Sequence, residues 1–292
     1  MRIGVLILPS TTWKRAERMW QLADEMGFAH AWTSDHIAWQ DLAGQEWYAA
    51  VPSLAAAAVG TRRIQIGTLV SSPNFRHPVP FAKEIITLDD VSGGRFVVGL
   101  GAGGGGLDAN CLGQEEWTPV ERAQRFAEFV ELTAKLLSAP VTDANGTFYK
   151  ARRAHITPVD APPRQIPLAI AATGKRGMAL AARLAATWVT NGRSPRHGLV
   201  PPVARPDDVA TQVRQLASRC EHVGRDPATV RRLLMNVNRE PSVLASLGAF
   251  RSAVAAYTEA GITDMVVPFP DQPPFNASMT VLEQVAEILP EL

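Results

Sequence analysis

The sequence predicts an α/β fold, a (β/α)8 TIM barrel, formed by one domain that covers residues 1–292. Two observations lead to this prediction. Eight short runs rich in β-branched and other apolar residues resemble buried strands, and they mostly alternate with segments of helical spacing. Glycine, proline and polar residues gather after the carboxyl ends of several strands, where ligands bind in parallel α/β folds. Eight such units favour a closed barrel over an open sheet.

The predicted strands and helices follow one another along the whole chain. Strands are predicted at residues 3–8, 29–34, 63–70, 95–100, 166–171, 187–189, 233–237 and 265–269. Helices are predicted at residues 13–26, 46–59, 79–88, 120–137, 175–184, 207–222, 245–260 and 279–289. In the first helix Ala16, Met19 and Ala23 share one face, which is typical of a helix that packs on a barrel.

Two segments depart from the simple repeat. Residues 140–167 contain Asn145-Gly146, a hairpin-turn signal, and predict a surface hairpin inserted before the fifth barrel strand. Residues 192–206 are rich in proline, arginine and glycine and are too long for an ordinary loop between a strand and a helix. They form either a mobile lid over a ligand or a disordered surface loop.

Composition excludes several classes of function. A net charge of +1 favours neither nucleic acid nor an anionic membrane as a partner, and no apolar run approaches the roughly 18 residues that span a bilayer. Cys111 and Cys220 are far apart, so no disulfide framework is predicted and a cytoplasmic location fits best. The six histidines form neither HxH nor HExxH, so no metal site is predicted.

The central stretch resembles a known family. GTLVSSPNFRHP at residues 67–78 and TLDDVSGGRFVVGLGAG at residues 87–103 resemble the luciferase-like monooxygenase superfamily, and most of all its branch that uses coenzyme F420 or FMN. The resemblance extends over residues 2–192. It implies a bacterial luciferase-like barrel and a redox enzyme that acts on a small organic substrate.

Asp35 and His36 are the candidate catalytic residues, because they follow the second strand at the rim where barrel enzymes place their catalytic side chains. An imidazole there can exchange a proton near neutral pH, and an adjacent carboxylate can orient or tune it. The alternative is an Asp that caps a turn with a His packed beside it. The SDH triplet at residues 34–36 resembles the F420 branch, in which this His lies near the reactive ring.

The resemblance also implies a cofactor site. It places a cis peptide between Leu69 and Val70 against one face of the ring, where the local sequence alone indicates an ordinary strand end. It places the cofactor phosphate at residues 171–177, whose small residues open a helix beside two cations. The alternative there is a capped helix with two solvated bases. The predicted cofactor-binding residues are Leu69, Val70, Ser71, Gly101, Ala102, Ala172, Thr173, Gly174, Lys175, Arg176, Gly177, Thr190, Asn191 and Gly192.

A substrate pocket is predicted beside the ring, with Trp13, Trp39, Asn74 and Phe75 as its candidate residues. Three tryptophans near strand ends favour an apolar pocket, namely Trp13, Trp39 and Trp47; the alternative is that they belong to the core. Arg76 either joins this loop or is a surface residue. Ala102 stands where sugar-oxidising F420 relatives have a Glu, which argues against their acid–base pair and substrate. The glycine run at residues 103–106 either closes over a ligand or is a loose loop.

These observations favour an oxidoreductase that transfers hydride between coenzyme F420 and a small organic substrate. Lys175, Arg176, Arg193 and Arg196 suit the anionic tail of that cofactor, although solvated arginine is the commoner arrangement. The first alternative is an FMN-dependent monooxygenase, because both cofactors carry a phosphate-bearing chain. The second is a non-catalytic flavin-binding relative. A homodimer is compatible with the resemblance, and no nucleic-acid or membrane partner is predicted.

Overall fold

A computed structural model describes residues 1–39, 42–104, 107–157, 165–192, 204–237 and 242–292. Eight parallel strands close into a barrel in the order β1-β10-β9-β8-β7-β4-β3-β2, which confirms the predicted (β/α)8 fold. These strands are β1 (Arg2–Leu6), β2 (His30–Thr33), β3 (Gln65–Thr68), β4 (Phe96–Gly101), β7 (Leu168–Ala171), β8 (Thr187–Thr190), β9 (Arg231–Met235) and β10 (Asp264–Pro268). That residues 1–292 form one domain stays a prediction.

Helices surround the barrel, and most of them pack on its outer face. They are α1 (Trp13–Glu25), α2 (Ala50–Gly60), α3 (Pro78–Val91), α4 (Leu107–Cys111), α5 (Pro119–Ser138), α6 (Lys175–Leu184), α7 (Pro206–His222), α8 (Leu247–Glu259) and α9 (Met279–Ile288). The short helix α4 was not predicted, because a glycine run precedes it and its five residues are too few to show periodicity. In the described part of the chain, no helix is long and apolar enough to cross a membrane.

Apolar side chains form two layers. An inner cluster that includes Leu6, Trp32 and Val97 contributes Leu69 and partly buried Val70 at the carboxyl-terminal end of the barrel. A larger outer cluster lies between the strands and the surrounding helices. The inner layer makes the barrel a packed core rather than a pore, which leaves the rim as the candidate place for a ligand.

The predicted hairpin lies where the sequence places it. Strands β5 (Val141–Asn145) and β6 (Lys150–His155) pair antiparallel between α5 and the fifth barrel strand, β7. The carboxylate of Glu128 on α5 accepts hydrogen bonds from the backbone N–H groups of Thr147, Phe148 and Tyr149 at the hairpin tip. These bonds satisfy donors that the turn leaves unpaired and fix the hairpin against the barrel helices.

A buried carboxylate, that of Asp264, lies at the amino-terminal end of the barrel. Asp264 accepts hydrogen bonds from Arg231 at 2.9 Å and from Thr263 at 2.6 Å, and His30 lies 3.4 Å from it. Burial by itself would raise the pKa of Asp264, but the groups around it, His30, Thr263 and Arg231, outweigh burial and lower its pKa to about 2. A cavity of about 380 Å³ opens at this end, and no predicted site residue lines it.

We expect Asp264 to make the free energy of unfolding fall as the pH is lowered. Its folded-state pKa of about 2 lies below the ordinary value of 3.8, so its contribution is complete above about pH 4 and is lost as the pH falls toward 2. That contribution is about 2 kcal/mol. In Asp264→Asn, the free energy of unfolding measured by urea titration at pH 5 and pH 2.5 should therefore fall less with acid than in the parent. An equal fall in both proteins would contradict this assignment.

Candidate active site

The candidate site lies at the carboxyl-terminal rim of the barrel, where the loops that follow β2, β3, β4 and β7 meet. Strand register brings them together: Thr33 pairs with Thr68, Ser71 bridges to Leu100, and Gly101 pairs with Ala171. Parallel pairing in a closed ring thus gathers side chains that lie far apart in sequence.

His36 follows β2, and its ring has a carboxylate partner that the sequence reasoning missed. Nδ1 of His36 lies 2.7 Å from Oδ2 of Asp108 in α4. The His36 side chain is 29% exposed, whereas that of Asp108 is 2% exposed. The indole N–H of Trp47 donates to the backbone carbonyl of His36, at 2.8 Å. Asp108 therefore fixes the ring of His36, and Trp47 fixes its backbone.

Asp35 does not serve as the partner of His36, which corrects the predicted pairing. Its two carboxylate oxygens accept a bidentate pair of bonds from Nε and Nη2 of Arg76, and Oδ2 also accepts from the hydroxyl of Ser71. Asp35 is 1% exposed, so this carboxylate is buried with its neutralising cation. Neighbours in sequence diverge here because successive residues after a strand point in different directions.

Arg76 is a structural residue of the site rather than a surface one. Its side chain is 12% exposed and also bonds Glu84 on α3, at 2.8 Å. Its guanidinium lies 5.0 Å from the ring centre of Phe75 and 4.8 Å from that of Phe81. Arg76 thus ties the loop after β3 to β2 and α3, and half-buried Phe75 packs on it.

The peptide that joins Leu69 to Val70 is cis, as the resemblance implied. Its predicted role in supporting a ring stays a prediction. Beyond it, Ser71 resumes pairing with β4: its N–H donates to the carbonyl of Gly99, and its carbonyl accepts from the N–H of Gly101. A Cβ at Gly101 would lie 2.4 Å from a methyl group of Val70, so glycine is required for this close approach.

Asn74 fixes the first part of the glycine run after β4, at Gly103 and Gly104. Gly103 has φ of +76°, and a Cβ there would lie 2.5 Å from the amide of Asn74. Asn74, which is 5% exposed, donates to the carbonyl of Gly104 at 3.3 Å. Asn74 therefore links the loop after β3 to the loop after β4. Its predicted place in the substrate pocket stays a prediction. Residues 105 and 106 lie outside the described residues.

The loop after β7 presents an open helix start. Gly174 is the N-cap of α6 and has no side chain to cap it, and both Lys175 and Arg176 are exposed. A Cβ at Gly174 would meet no atom of the described chain within 4 Å. By contrast, a Cβ at Gly177 would lie 2.8 Å from that of Ala172. The first-turn N–H groups and two cations therefore face free space, which suits a phosphate group. Thr173 is half-buried in this loop.

Hydrogen bonds of Thr190, the last residue of β8, fix the turn that follows it, and the cofactor role predicted for residues 190–192 stays a prediction. The hydroxyl of Thr190 donates to Gln212 on α7 at 2.7 Å and accepts from the N–H of Gly192. Thr190 is 2% exposed. Its side chain therefore orients the turn that carries Asn191 and Gly192. Most of the predicted lid, residues 193–203, lies outside the described residues, as do Arg193 and Arg196.

Aromatic side chains line the rim beside His36. The Trp39 ring centre lies 5.8 Å from that of Trp47 and 6.3 Å from that of Phe275, and Trp47 lies 6.5 Å from His36. These rings pack against the inner cluster together with Val70. Trp13, by contrast, packs against the outer core, as does Ala102. The sequence indicated Trp39 and Trp47 but not Phe275, which comes from the distant loop after β10.

Within the described ranges, no three His, Cys, Asp or Glu side chains gather as metal ligands. The side chains at the rim are suited to proton exchange at His36, anion binding at the start of α6 and apolar contact at the tryptophans.

Comparisons with known proteins bear on the family and the fold. The sequence profile described as luciferase-like monooxygenase matches residues 1–262. An F420-dependent glucose-6-phosphate dehydrogenase of Microbacterium testaceum (strain StLB037) is 36% identical over 177 residues, which are 60% of this chain and 52% of that protein. A 4-hydroxyprotoasukamycin monooxygenase of Streptomyces nodosus subsp. asukaensis is 31% identical over 210 residues, 69% of this chain and 52% of that protein.

The chain thus spans about half the length of the curated relatives that it matches. Among solved structures, an F420-dependent secondary alcohol dehydrogenase in complex with an F420-acetone adduct superimposes with a TM-score of 0.81. That match covers 99% of this chain and 98% of the other at 17% identity, so it supports the fold.

We expect the pair of Asp35 and Arg76 to be a main support of the rim. Arg76→Met leaves a buried carboxylate without its cation, which should lower the free energy of unfolding by about 3–5 kcal/mol. Arg205→Met is the matched control, because Arg205 pairs with Asp208 in an exposed bridge and is 68% exposed. The control should cost less than about 1 kcal/mol. Denaturant titration measures both, and equal losses would refute the role given to Arg76.

Proposed function

The chain belongs to the luciferase-like monooxygenase family, and we propose that it is an oxidoreductase that transfers hydride between coenzyme F420 and a small organic substrate. The observation that carries the proposal is the meeting, at one rim, of a carboxylate-bound His36 with the open start of α6. Relatives named as F420-dependent dehydrogenases support the choice of cofactor. When bound, a deazaflavin supplies a ring carbon that takes up or gives up hydride.

The loop at Gly174 fits the phosphate-bearing chain of this cofactor. Free space above Gly174 lets an oxyanion approach the first-turn N–H groups of α6. Lys175 and Arg176 add two exposed charges that suit an anionic tail beyond the phosphate. Val70 lies beside Gly101 at the end of β4, where its apolar side chain would contact a planar ring.

His36 would manage the proton that accompanies hydride transfer. Its ring is partly exposed and its Nδ1 is occupied by Asp108, so Nε2 is the nitrogen left for a substrate. An alcohol must lose a hydroxyl proton when hydride leaves its carbon, and a carbonyl must gain one in the reverse reaction. Trp39, Trp47 and Phe275 would contact the apolar part of such a substrate.

An FMN-dependent monooxygenase is the second candidate function. It is favoured by similarity to 4-hydroxyprotoasukamycin monooxygenase and by a phosphate site that serves FMN equally well. A non-catalytic flavin-binding relative is a third candidate. Any detectable turnover would exclude it, whereas tight cofactor binding with no turnover would support it.

We also propose that the chain forms a homodimer through α2. This helix, AVPSLAAAAVG, has no charged residue, and Val59 on it is 77% exposed. An apolar helix face without charged residues is normally covered, and a second copy related by a two-fold axis would pair this face with itself.

A cytoplasmic location remains part of the proposal. It rests on Cys111 and Cys220, which are both free thiols, one exposed and one buried. Exposed thiols are typical of reducing compartments.

The cofactor site is tested by replacing its charges. Lys175→Ala with Arg176→Ala should weaken F420 binding tenfold or more, because a charge-assisted contact is worth roughly 1.5–3 kcal/mol. Gly174→Val should weaken binding too, since its side chain would occupy the space left for phosphate.

The choice of cofactor is tested by fluorescence titration of the parent protein. It should bind F420 more tightly than FMN, and its affinity for F420 should fall as salt rises. Unchanged affinity in both variants would move the site elsewhere, and tighter FMN binding with oxygen-dependent turnover would favour the monooxygenase.

The role of His36 is tested by His36→Asn. We expect turnover with F420 to fall roughly 100-fold or more, the usual scale of general acid–base catalysis, while cofactor affinity stays near that of the parent. His222→Asn, far along the chain at the end of α7, serves as the control. Full activity in His36→Asn would remove His36 from the mechanism.

The dimer is tested by light scattering after gel filtration. Val59→Lys should shift the protein toward monomer, because it places a charge in the proposed interface. Val223→Lys is a suitable control, since Val223 is 45% exposed and lies at the end of α7. A parent protein that is monomeric at micromolar concentration would exclude the dimer.

A further inference from the structure

We propose that Asp108 is a positioning residue that fixes the tautomer of His36. The inference rests on the proposed proton role of His36 and deepens it. Asp108 lies in α4, and its carboxylate contacts two successive residues of the loop after β2. Oδ2 lies 2.7 Å from Nδ1 of His36, and Oδ1 accepts the backbone N–H of Ile37 at 2.8 Å.

The donors and acceptors leave one arrangement for a neutral imidazole. An ionised carboxylate only accepts hydrogen bonds, so a hydrogen bond to it requires a proton on Nδ1 of His36. The other ring nitrogen, Nε2, then carries a lone pair and can accept a proton. When it does, the imidazolium gains a buried counter-charge, because Asp108 is 2% exposed. Asp108 thus selects which nitrogen works and favours its protonated product.

Two other rim positions at which the sequence or the resemblance suggests an acidic residue do not supply that carboxylate. Asp35 is engaged by Arg76 and Ser71. Ala102 offers a methyl group at the position where the resemblance indicates a Glu in sugar-oxidising relatives. The chain supplies a carboxylate six residues later instead, from the first turn of α4 beyond the glycine run.

Replacement by Asn gives a specific expectation. The N–H of Ile37 is always a donor, so the amide oxygen of Asn should turn toward it and the NH2 group toward His36. That group donates to Nδ1 and forces the proton onto Nε2, which can then no longer accept one. Asp108→Asn should therefore invert the tautomer with little change in shape.

Imidazole ¹⁵N spectra of the labelled protein without cofactor test this directly, at a pH where His36 is neutral. The His36 signals are identified by their loss in His36→Asn. We expect the Nδ1–H tautomer in the parent and in the control Asp226→Asn, and the Nε2–H tautomer in Asp108→Asn. With F420 and substrate, Asp108→Asn should lower turnover about 100-fold or more and leave cofactor affinity unchanged.

A parent protein in which His36 holds its proton on Nε2 would overturn the inference, even if Asp108→Asn failed to fold. An unchanged tautomer in a folded Asp108→Asn would do the same. The expected tautomers without any F420 turnover in the parent would support the pairing and count against the proposed function, so the two failures are distinguishable.

Discussion

Closure of eight parallel strands into one hydrogen-bonded ring is the constraint on which the site depends. Because the ring fixes which strand lies beside which, the loops after β2, β3 and β4 meet although about 70 residues of sequence separate His36 from Asp108. The inner cluster packs the barrel interior, so the rim is where a ligand can bind. The roles proposed for His36, Asp108 and the start of α6 follow from their positions on that rim.

Two carboxylates at the rim have different tasks because their surroundings differ. Asp35 meets a bidentate guanidinium and a hydroxyl, which neutralise it and make it a tie between β2 and the loop after β3. Asp108 meets an imidazole and a backbone N–H, which make it a partner of a group that can change its charge. The first arrangement supports the site, and the second bears on its chemistry.

Three features could be predicted from the sequence. The alternation of strand and helix patterns predicted the barrel, and the Asn145-Gly146 turn predicted the hairpin. The resemblance to a family motif predicted the cis peptide. The partner of His36 could not be predicted. Asp35 was the expected partner because it is adjacent in sequence, whereas contacts across a barrel depend on the direction of side chains and the path of loops. A lone acid after a glycine run was the available signal for Asp108. Arg76 was ambiguous for the same reason, since burial of a charged side chain depends on its distant partner.

A crystal structure of the protein grown with oxidised coenzyme F420 under anaerobic conditions would test the central claim most directly. We predict the phosphate at the first turn of α6, near Gly174, and the ring at the rim beside Val70 within reach of His36. Cofactor bound at the amino-terminal end of the barrel, or at the rim with its phosphate away from α6, would contradict the account.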